Sequence, residues 1–574
     1  MGRWNKLLPA LRWMRNYDSA TFSSDLIAAL IVTIMLIPQS LAYALLAGLP
    51  PQVGLYASIL PLVLYGLFGS SSTLSVGPVA IASLMTAAAV GEVVTLVDVS
   101  VTSAAITLAA LSGAMLVVFG FLRLGFLANF LSHTVVSAFI TASAIIIALS
   151  QLRHLFGVPA SGDTIIELAH SLSQQLAGFN IPTLLIGSSV LCLLVFFRSR
   201  GIGMLVKLGF SRHHAQLMTK VAPVIAVILS IVVVRYFDLE PMGVAIVGTI
   251  PVGLPTLALP EISMSLIEML WLPALLISII GYVESVSVGR TLGGKRQQRI
   301  DANQELIGLG AANLGSAFSG GLPVTGGFSR SVVNFDAGAI TQAASIMTAA
   351  FIAIVTLFFT PFLYSLPKAT LAATIIVAVL ALVDFSVIAR TWRVSRSDTA
   401  AILVTMLLTL GFGVEAGVSF GILLSIVLHL YRTSKPHIAE VGLIPGSEHF
   451  RNVQRYRVDC YPQILSLRVD ESLFFANAAY LEEIVYAAVF NNGEIAHVIL
   501  MCTAINEIDF TALETLEQIN LQLKQQGITL NLSEVKGPVM DMLNRTDFIE
   551  HLSGEVYLSQ YEAFSDVRKK LGIV

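Results

Sequence analysis

The feature that most constrains this chain is a long succession of apolar runs, many of them close to the roughly 20 residues a membrane-spanning helix needs. They cover residues 26–47, 55–70, 76–91, 101–122, 126–150, 181–197, 218–237, 267–290, 302–319, 328–339, 341–364, 368–390, 398–412 and 413–431. That makes about fourteen segments, several of them short. A soluble domain carries about a quarter charged residues. This chain of 574 residues carries 12%, against 55% hydrophobic residues, so most of it cannot face water. A net charge of -3 gives no global field for nucleic acid. Cys192, Cys460 and Cys502 lie far apart and offer neither metal spacing nor a disulfide framework. No metal, cofactor or enzymatic activity is expected, and the lack of a P-loop argues against ATP-driven chemistry.

The lysines and arginines test the segmentation. Arg3, Lys6, Arg12 and Arg15 precede the first run, and no cleavage signature follows it. Residues 1–25 therefore read as a cytoplasmic segment, amphipathic and lying on the membrane surface. With that end inside, Arg123, the cluster Arg198, Arg200, Lys207, Arg212 and Lys220, then Arg290, Lys295, Arg296 and Arg299, then Arg390, Arg393 and Arg396, and finally Arg432 and Lys435 all fall inside. The 238–266 loop, with Asp238, Glu240 and Glu261 and no cation, falls outside. Arg153 and Lys368 are exceptions. The expectation is a multi-pass protein of the cell (inner) membrane, with a transmembrane domain at 26–432 in contact with lipid and both termini cytoplasmic.

After Lys435-Pro436 the composition changes. Ile464–Val469, Ala496–Met501 and Ile528–Leu532 read as buried strands, and Ala478–Phe490 and Phe510–Gln525 as amphipathic helices. Pro538 sits in the first turn of a third short helix. Alternating strands and helices predict a small cytoplasmic α/β domain at 437–574.

Two of the apolar segments are broken. The third opens with Ser70-Ser71-Ser72-Thr73-Leu74-Ser75-Val76-Gly77-Pro78, and the tenth with Gly320-Gly321-Leu322-Pro323-Val324-Thr325-Gly326-Gly327-Phe328-Ser329-Arg330. Each reads as an extended lead-in followed by a short helix. Extended backbone is tolerated in a membrane only where protein buries it or it lines a wet cavity. A half-helix start has unpaired amides and the positive end of the helix dipole, which together attract an anion. Paired broken segments in two halves of a chain point to a transport site. The competing reading is that the glycines and prolines only kink two helices for packing. Three polar residues add to the pattern: Gln39 beside Pro38, with Tyr43 one turn on; Glu284 deep in the eighth segment; and Arg330. Charge inside a membrane is costly, about 3 kcal/mol or more, so it is functional or paired. Glu284 and Arg330 either form a structural ion pair or serve an anion and its coupled cation. Gln39 fits a helix–helix hydrogen bond nearly as well.

Four stretches resemble the sulfate permease (SulP) family of anion transporters. They are Ile37-Pro38-Gln39-Ser40-Leu41-Ala42-Tyr43-Ala44; Gly54-Leu55-Tyr56-Ala57-Ser58 through Tyr65 and Phe68-Gly69-Ser70-Ser71 to Gly77-Pro78; Asn303-Gln304-Glu305-Leu306-Ile307-Gly308-Leu309-Gly310 with Asn313; and Gly327-Phe328-Ser329-Arg330-Ser331-Val332-Val333-Asn334. The tail resembles the STAS domain of that family. The resemblance implies two inverted seven-segment repeats divided into core and gate, alternating access and a homodimer. It places the anion among Gln39, Tyr43, Gly77, Pro78, Val79, Gly327, Phe328, Ser329 and Arg330. Glu284 then matches the family's coupling acid. Val288 stands where the sodium-coupled branch has a hydroxyl, so a proton is expected rather than sodium. Thr511, in Asn506-Glu507-Ile508-Asp509-Phe510-Thr511-Ala512, stands near a hydroxyl that relatives phosphorylate; capping or exposed packing is its plainer role, and a cytoplasmic partner of the tail is a further expectation. The leading expectation is sulfate–proton symport. The alternatives are a sodium-coupled bicarbonate or dicarboxylate carrier, an exchanger, a channel, or a membrane anion sensor signalling through the tail.

Overall fold

The computed structural model describes residues 8–15, 17–129, 133–162, 164–212, 215, 218–219 and 221–573, with only the backbone of 128, 129, 133, 176, 415 and 418. Arg3, Lys6 and Lys220 lie outside the described residues. Two compact units divide the chain, residues 1–425 and 426–574.

Fourteen apolar helical segments follow in order: α1 Ser19–Leu46, α2 Pro51–Phe68 (interrupted at Ala57–Ile59), α3 Ala80–Leu96, α4 Val101–Phe121, α5 His133–Phe156, α6 Ile181–Lys207, α7 Ala222–Tyr236, α8 Met264–Lys295, α9 Ala302–Phe318, α10 Phe328–Asp336, α11 Ala343–Phe358, α12 Lys368–Leu380, α13 Arg396–Phe412 and α14 Val414–Ser434. Among the described residues, six of them, α1, α2, α4, α5, α6 and α8, are long and apolar enough to span a bilayer by themselves. Many open on a side-chain cap: Asp18, Ser100, Asn180, Ser263, Asp301 and Ser395 each accept a first-turn amide of α1, α4, α6, α8, α9 and α13.

The packing separates two bundles. In one, α9 lies against α4 and α2, α8 against α4 and α3, and α1 against α11 and α10. In the other, α5 lies against α12 and α13, and α6 against α12, α5 and α7. Shifting the helices by seven maps several of these contacts onto others. The α9–α4 pair becomes α2–α11, α8–α4 becomes α1–α11, α8–α3 becomes α1–α10, and α12–α6 becomes α5–α13, all of which occur. This is the expected repeat of seven, visible in the contacts although the halves share no evident residue identity.

Several boundaries differ from the sequence reading. The first helix starts at Ser19, well before its apolar run, because Asp18 caps it and Asp25 is buried within it. The Asp25 carboxylate accepts hydrogen bonds from the Ile340 and Thr341 amides and the Thr341 hydroxyl, which lie beyond α10. Residues 126–150 shift to α5, since Leu124–Asn129 is a 3-10 turn. The 368–390 run is two helices: α12 ends at Leu380, and Ser386–Val394 is a separate amphipathic helix with only Val387 buried. A hydropathy run cannot register that break, because Ala381-Leu382-Val383 is as apolar as the helix before it. Amphipathic helix Ile165–Gln175, with Leu168 and Leu172 buried at i, i+4 spacing, went unread for lack of a long run.

The second unit is an α/β domain. Its sheet runs in the order β4-β3-β5-β6-β7-β8, with β3 Ile438–Leu443, β4 Phe450–Asn452, β5 Ile464–Val469, β6 His497–Met501, β7 Thr529–Ser533 and β8 Val556–Tyr557. β5 to β8 are parallel, while β3 is antiparallel to both β4 and β5. The sequence reading found β5, β6 and β7 within a residue or so, and helices Ala478–Asn491, Phe510–Gln525 and Gly537–Leu543. It missed β3, β4, β8 and helices Phe548–His551 and Gln560–Lys570, which are short or have their apolar runs broken by charge; of the strands, β4 and β8 form the sheet's two edges. On β5, Arg468 donates to Asp470 at 2.6 Å, and the His437 ring pairs with the same carboxylate at 2.7 Å. Burial alone would raise the Asp470 carboxyl, but these two partners outweigh it and hold it below the usual range. A depressed carboxyl stabilises the fold above its unfolded value, about 3.9, and that contribution fades as pH falls further. Asp470→Asn should therefore lower the unfolding free energy of this domain at pH 7, read from its urea unfolding curve, by at most about 1 kcal/mol for this partly exposed cluster. The difference between the two proteins should shrink as pH falls through the depressed folded-state value of Asp470.

Candidate functional site

Strands β1 Val76–Gly77 and β2 Thr325–Gly326 lie directly before α3 and α10 and pair antiparallel, Val76 with Gly326 and Gly77 with Thr325. The pair lets the two extended lead-ins satisfy each other's backbone. The sequence foretold the extended segments but not their pairing, because nothing local says that residues about 250 apart meet.

Side chains hold the rest. Asn313 of α9 donates to the Val324 carbonyl at 2.8 Å and accepts from the Val324 amide at 2.9 Å, replacing a missing strand neighbour. Ser285 of α8 accepts from the Gly326 amide at 2.9 Å, and Thr325 donates to the Gly281 carbonyl at 2.7 Å. Asn334 donates to Thr73 O, and the Ser331 hydroxyl accepts from the Ser75 amide. Glu305, fully buried, accepts from the Ser70 amide and hydroxyl at 2.7 Å, the Ser71 amide at 3.1 Å and the Tyr65 hydroxyl at 2.9 Å. Gln298 adds bonds from Ser72 and to Ser70 O. Asn313 and Glu305 stood in quoted motifs without an assigned role; a buried acid and amide preceding a broken helix were the signal.

Neither α3 nor α10 has a side-chain cap: Val79 and Gly327 occupy those positions. Their first amides instead face one small cavity of about 50 Å³, lined by Gln39 and Tyr43 of α1, Val79, Ala80 and Ile81, Glu284, Gly327 to Arg330, and Ala378, Val379 and Leu382 at the end of α12. The space admits a few waters or one small oxyanion. Gln39, Tyr43, Val79, Glu284, Gly327, Phe328, Ser329 and Arg330 are thus brought together. Gly77 and Pro78 are not part of the lining, but Gly77 leaves room for it: a Cβ on Gly77 would sit 2.8 Å from Arg330 Nη1, and one on Gly327 3.0 Å from Nη2. Two glycines make the room that the guanidinium occupies. The α12 residues were not foreseen, being plain aliphatic side chains without a polar signal.

Arg330 is 2% exposed, and neither Nη atom has a hydrogen-bond partner; the Glu284 Oε2 is buried and equally unpartnered. The structural ion pair considered for these two residues is absent. A buried guanidinium with unused donors beside two uncapped helix starts is a site for negative charge. In the second unit, Thr511 is exposed one residue into helix Phe510–Gln525. Its capping role is excluded, because Asp509 accepts the Ala512 amide at 2.8 Å and is the cap.

Comparison with known proteins decides the family. Residues 22–405 match the sulfate permease family and residues 455–563 the STAS domain. The chain belongs to the sulfate permease family. It is similar to sulfate transporter 4.1, chloroplastic, of Arabidopsis thaliana, 35% identical with 96% of this chain and 80% of the relative covered. It is also similar to the probable sulfate transporter Rv1739c of Mycobacterium tuberculosis, 32% identical over 95% of both chains. In fold it resembles SLC26A9, with a TM-score of 0.87 and 23% identity over 99% of this chain and 94% of that one. The transmembrane domain of the cyanobacterial bicarbonate transporter BicA matches at a TM-score of 0.59 and 19% identity, over 72% of this chain and 98% of that one. This sulfate permease family member is accordingly a multi-pass membrane anion transporter and not an enzyme, with a STAS domain after its helical bundle.

Two variants separate scaffold from site. Glu305→Ala leaves two amides and two hydroxyls without their acceptor, at about 3 kcal/mol or more, and should lower the melting temperature of the detergent-purified protein by several degrees. Gly327→Ala, at a φ of -82° that any residue adopts, should melt near wild type, because the added Cβ meets the flexible end of Arg330 first, yet raise the half-saturating sulfate concentration for uptake about tenfold.

Proposed function

We propose that this transporter is a secondary active carrier of a small oxyanion, sulfate first, working by proton symport and alternating access between its two bundles. The observation that carries the reading is the unpartnered, buried Arg330 guanidinium facing a cavity into which two uncapped helix starts open. Three sources of positive potential converge there, and the cavity wall is shared between helices of both bundles: α1, α3, α8 and α10 from one, α12 from the other. Relative motion of the bundles would open that wall to one side and then the other. The substrate contacts in this reading are Gln39, Tyr43, Val79, Gly327, Phe328, Ser329 and Arg330, with Gly77 leaving room for the guanidinium. At about 50 Å³ the cavity suits sulfate or bicarbonate better than an extended dicarboxylate, which would need it widened. The relatives named as sulfate transporters favour sulfate.

Glu284 is the proposed coupling group. It is a titratable side chain in the same cavity as Arg330, so its proton and the anion's charge act on one electrostatic site. Val288 supplies no oxygen for sodium one turn on. The cation distribution supports a cell-membrane protein with both termini in the cytoplasm. A homodimer, a partner for the tail and phosphorylation of the exposed Thr511 belong to the same reading by family likeness.

The test is labelled sulfate uptake into liposomes under an inward proton gradient, an inward sodium gradient, or neither. Proton-driven uptake is expected, and Glu284→Gln should lose the gradient dependence while still exchanging sulfate for sulfate. Uptake driven by sodium alone would replace the proton assignment. Uptake of bicarbonate or succinate but not sulfate would replace the cargo. Binding without flux of any of the three would favour a membrane sensor.

A further inference from the structure

The anion cavity has one wall of the wrong polarity. Helix α12 ends at Leu380, and Ala378, Val379 and Leu382, which straddle that end, line the cavity opposite the starts of α3 and α10. A helix C-terminus leaves its last four carbonyls unpaired and carries about half a negative charge. Left bare, it would repel the anion that the two helix starts attract. Among the final carbonyls, Val379 O accepts the Ala381 and Leu382 amides. Val377 O accepts instead from a side chain of another helix: Arg198 Nη1 at 2.8 Å.

Arg198 reaches it from an irregular place. The α6 helix contains a five-residue π-helical turn, Phe197–Gly201, and Arg198 lies within it. Such turns rotate the following side chains off the α-helical register and recur at functional sites. The side chain is otherwise exposed, with no acid among the described residues paired to it. Its one described partner is the carbonyl end of α12. Asp384, just past the end of α12, is paired with Arg390 at 3.5 Å.

We infer that Arg198 is a positioning residue for transport: its guanidinium caps the C-terminal end of α12 and cancels the negative pole that this helix would otherwise turn toward the bound anion. The inference rests on the cavity being the anion site. Arg198 touches no substrate and acts through α12. It also ties α6 to α12, so the two move as one wall when the bundles shift.

The experiment is sulfate uptake by the full-length protein in liposomes, comparing wild type with Arg198→Gln, Arg198→Met and Arg198→Lys. An electrostatic cap predicts a half-saturating sulfate concentration raised about five- to tenfold in the Gln and Met proteins, with maximal rate within about twofold of wild type and recovery to near wild type in the Lys protein. A purely structural tie predicts a different pattern: a lower maximal rate in all three variants with unchanged half-saturation. That pattern, or wild-type half-saturation in Arg198→Gln, would overturn the inference while leaving the transport reading intact. A wild-type protein that takes up no anion would instead overturn the transport reading, and the inference with it.

Discussion

Extended backbone inside a membrane has to find its hydrogen bonds within the protein, and the architecture of this transporter follows from how that demand is met. Residues 70–79 and 321–327 run as non-helical backbone between apolar helices, extended as strands at 76–77 and 325–326. Water cannot serve them and no sheet is present to join. They pair with each other for two residues, β1 with β2, and many of their other polar groups are met by side chains of neighbouring helices or by Ser71 within the segment, while the Ser75 hydroxyl is left without a partner. Asn313 reads both sides of Val324, Ser285 takes the Gly326 amide, and Glu305 gathers Ser70, Ser71 and Tyr65. Those donors and acceptors sit on α2, α8 and α9, so the packing of these helices and the satisfaction of the crossing strands are one condition. The buried acid is tolerated because four hydrogen-bond donors meet it.

The same arrangement produces the site. Because β1 and β2 cross beside each other, α3 and α10 begin side by side, and because Val79 and Gly327 carry no capping side chain, their amides stay free. Six other helices are capped in the ordinary way, by Asp18, Ser100, Asn180, Ser263, Asp301 and Ser395, while α2, α7, α11 and α12 also open without a side-chain cap, so what sets α3 and α10 apart is that their two uncapped starts share one cavity. Arg330 then occupies space that only glycine at 77 and 327 leaves open. Its unused donors, the buried Glu284 oxygen and the small cavity are consequences of one crossing point.

The opposite wall shows that helix polarity is a recurring device. Three helix ends meet the cavity, two positive and one negative, and the negative one carries an arginine from α6. The second unit uses the same language in water, where Asp509 caps its helix and Arg468 and His437 hold Asp470.

Periodicity and composition by themselves determined a membrane bundle of about fourteen helices, the α/β tail, the two broken segments and most of the residues around the cavity, because apolar length, glycine–proline breaks and buried charge are local properties. The motifs near Gln39, Asn303 and Gly327 carried the family as well. Only the tertiary structure decided that the lead-ins pair, that Glu284 and Arg330 remain apart, that Asp25, Glu305 and Asn313 are the clamps, and that α12 ends at the cavity with Arg198 upon it. Each of these joins residues far apart in sequence. An aliphatic turn at Ala378 or a carboxylate at 305 looks the same locally whatever it meets, and the meeting is set by how the helices pack.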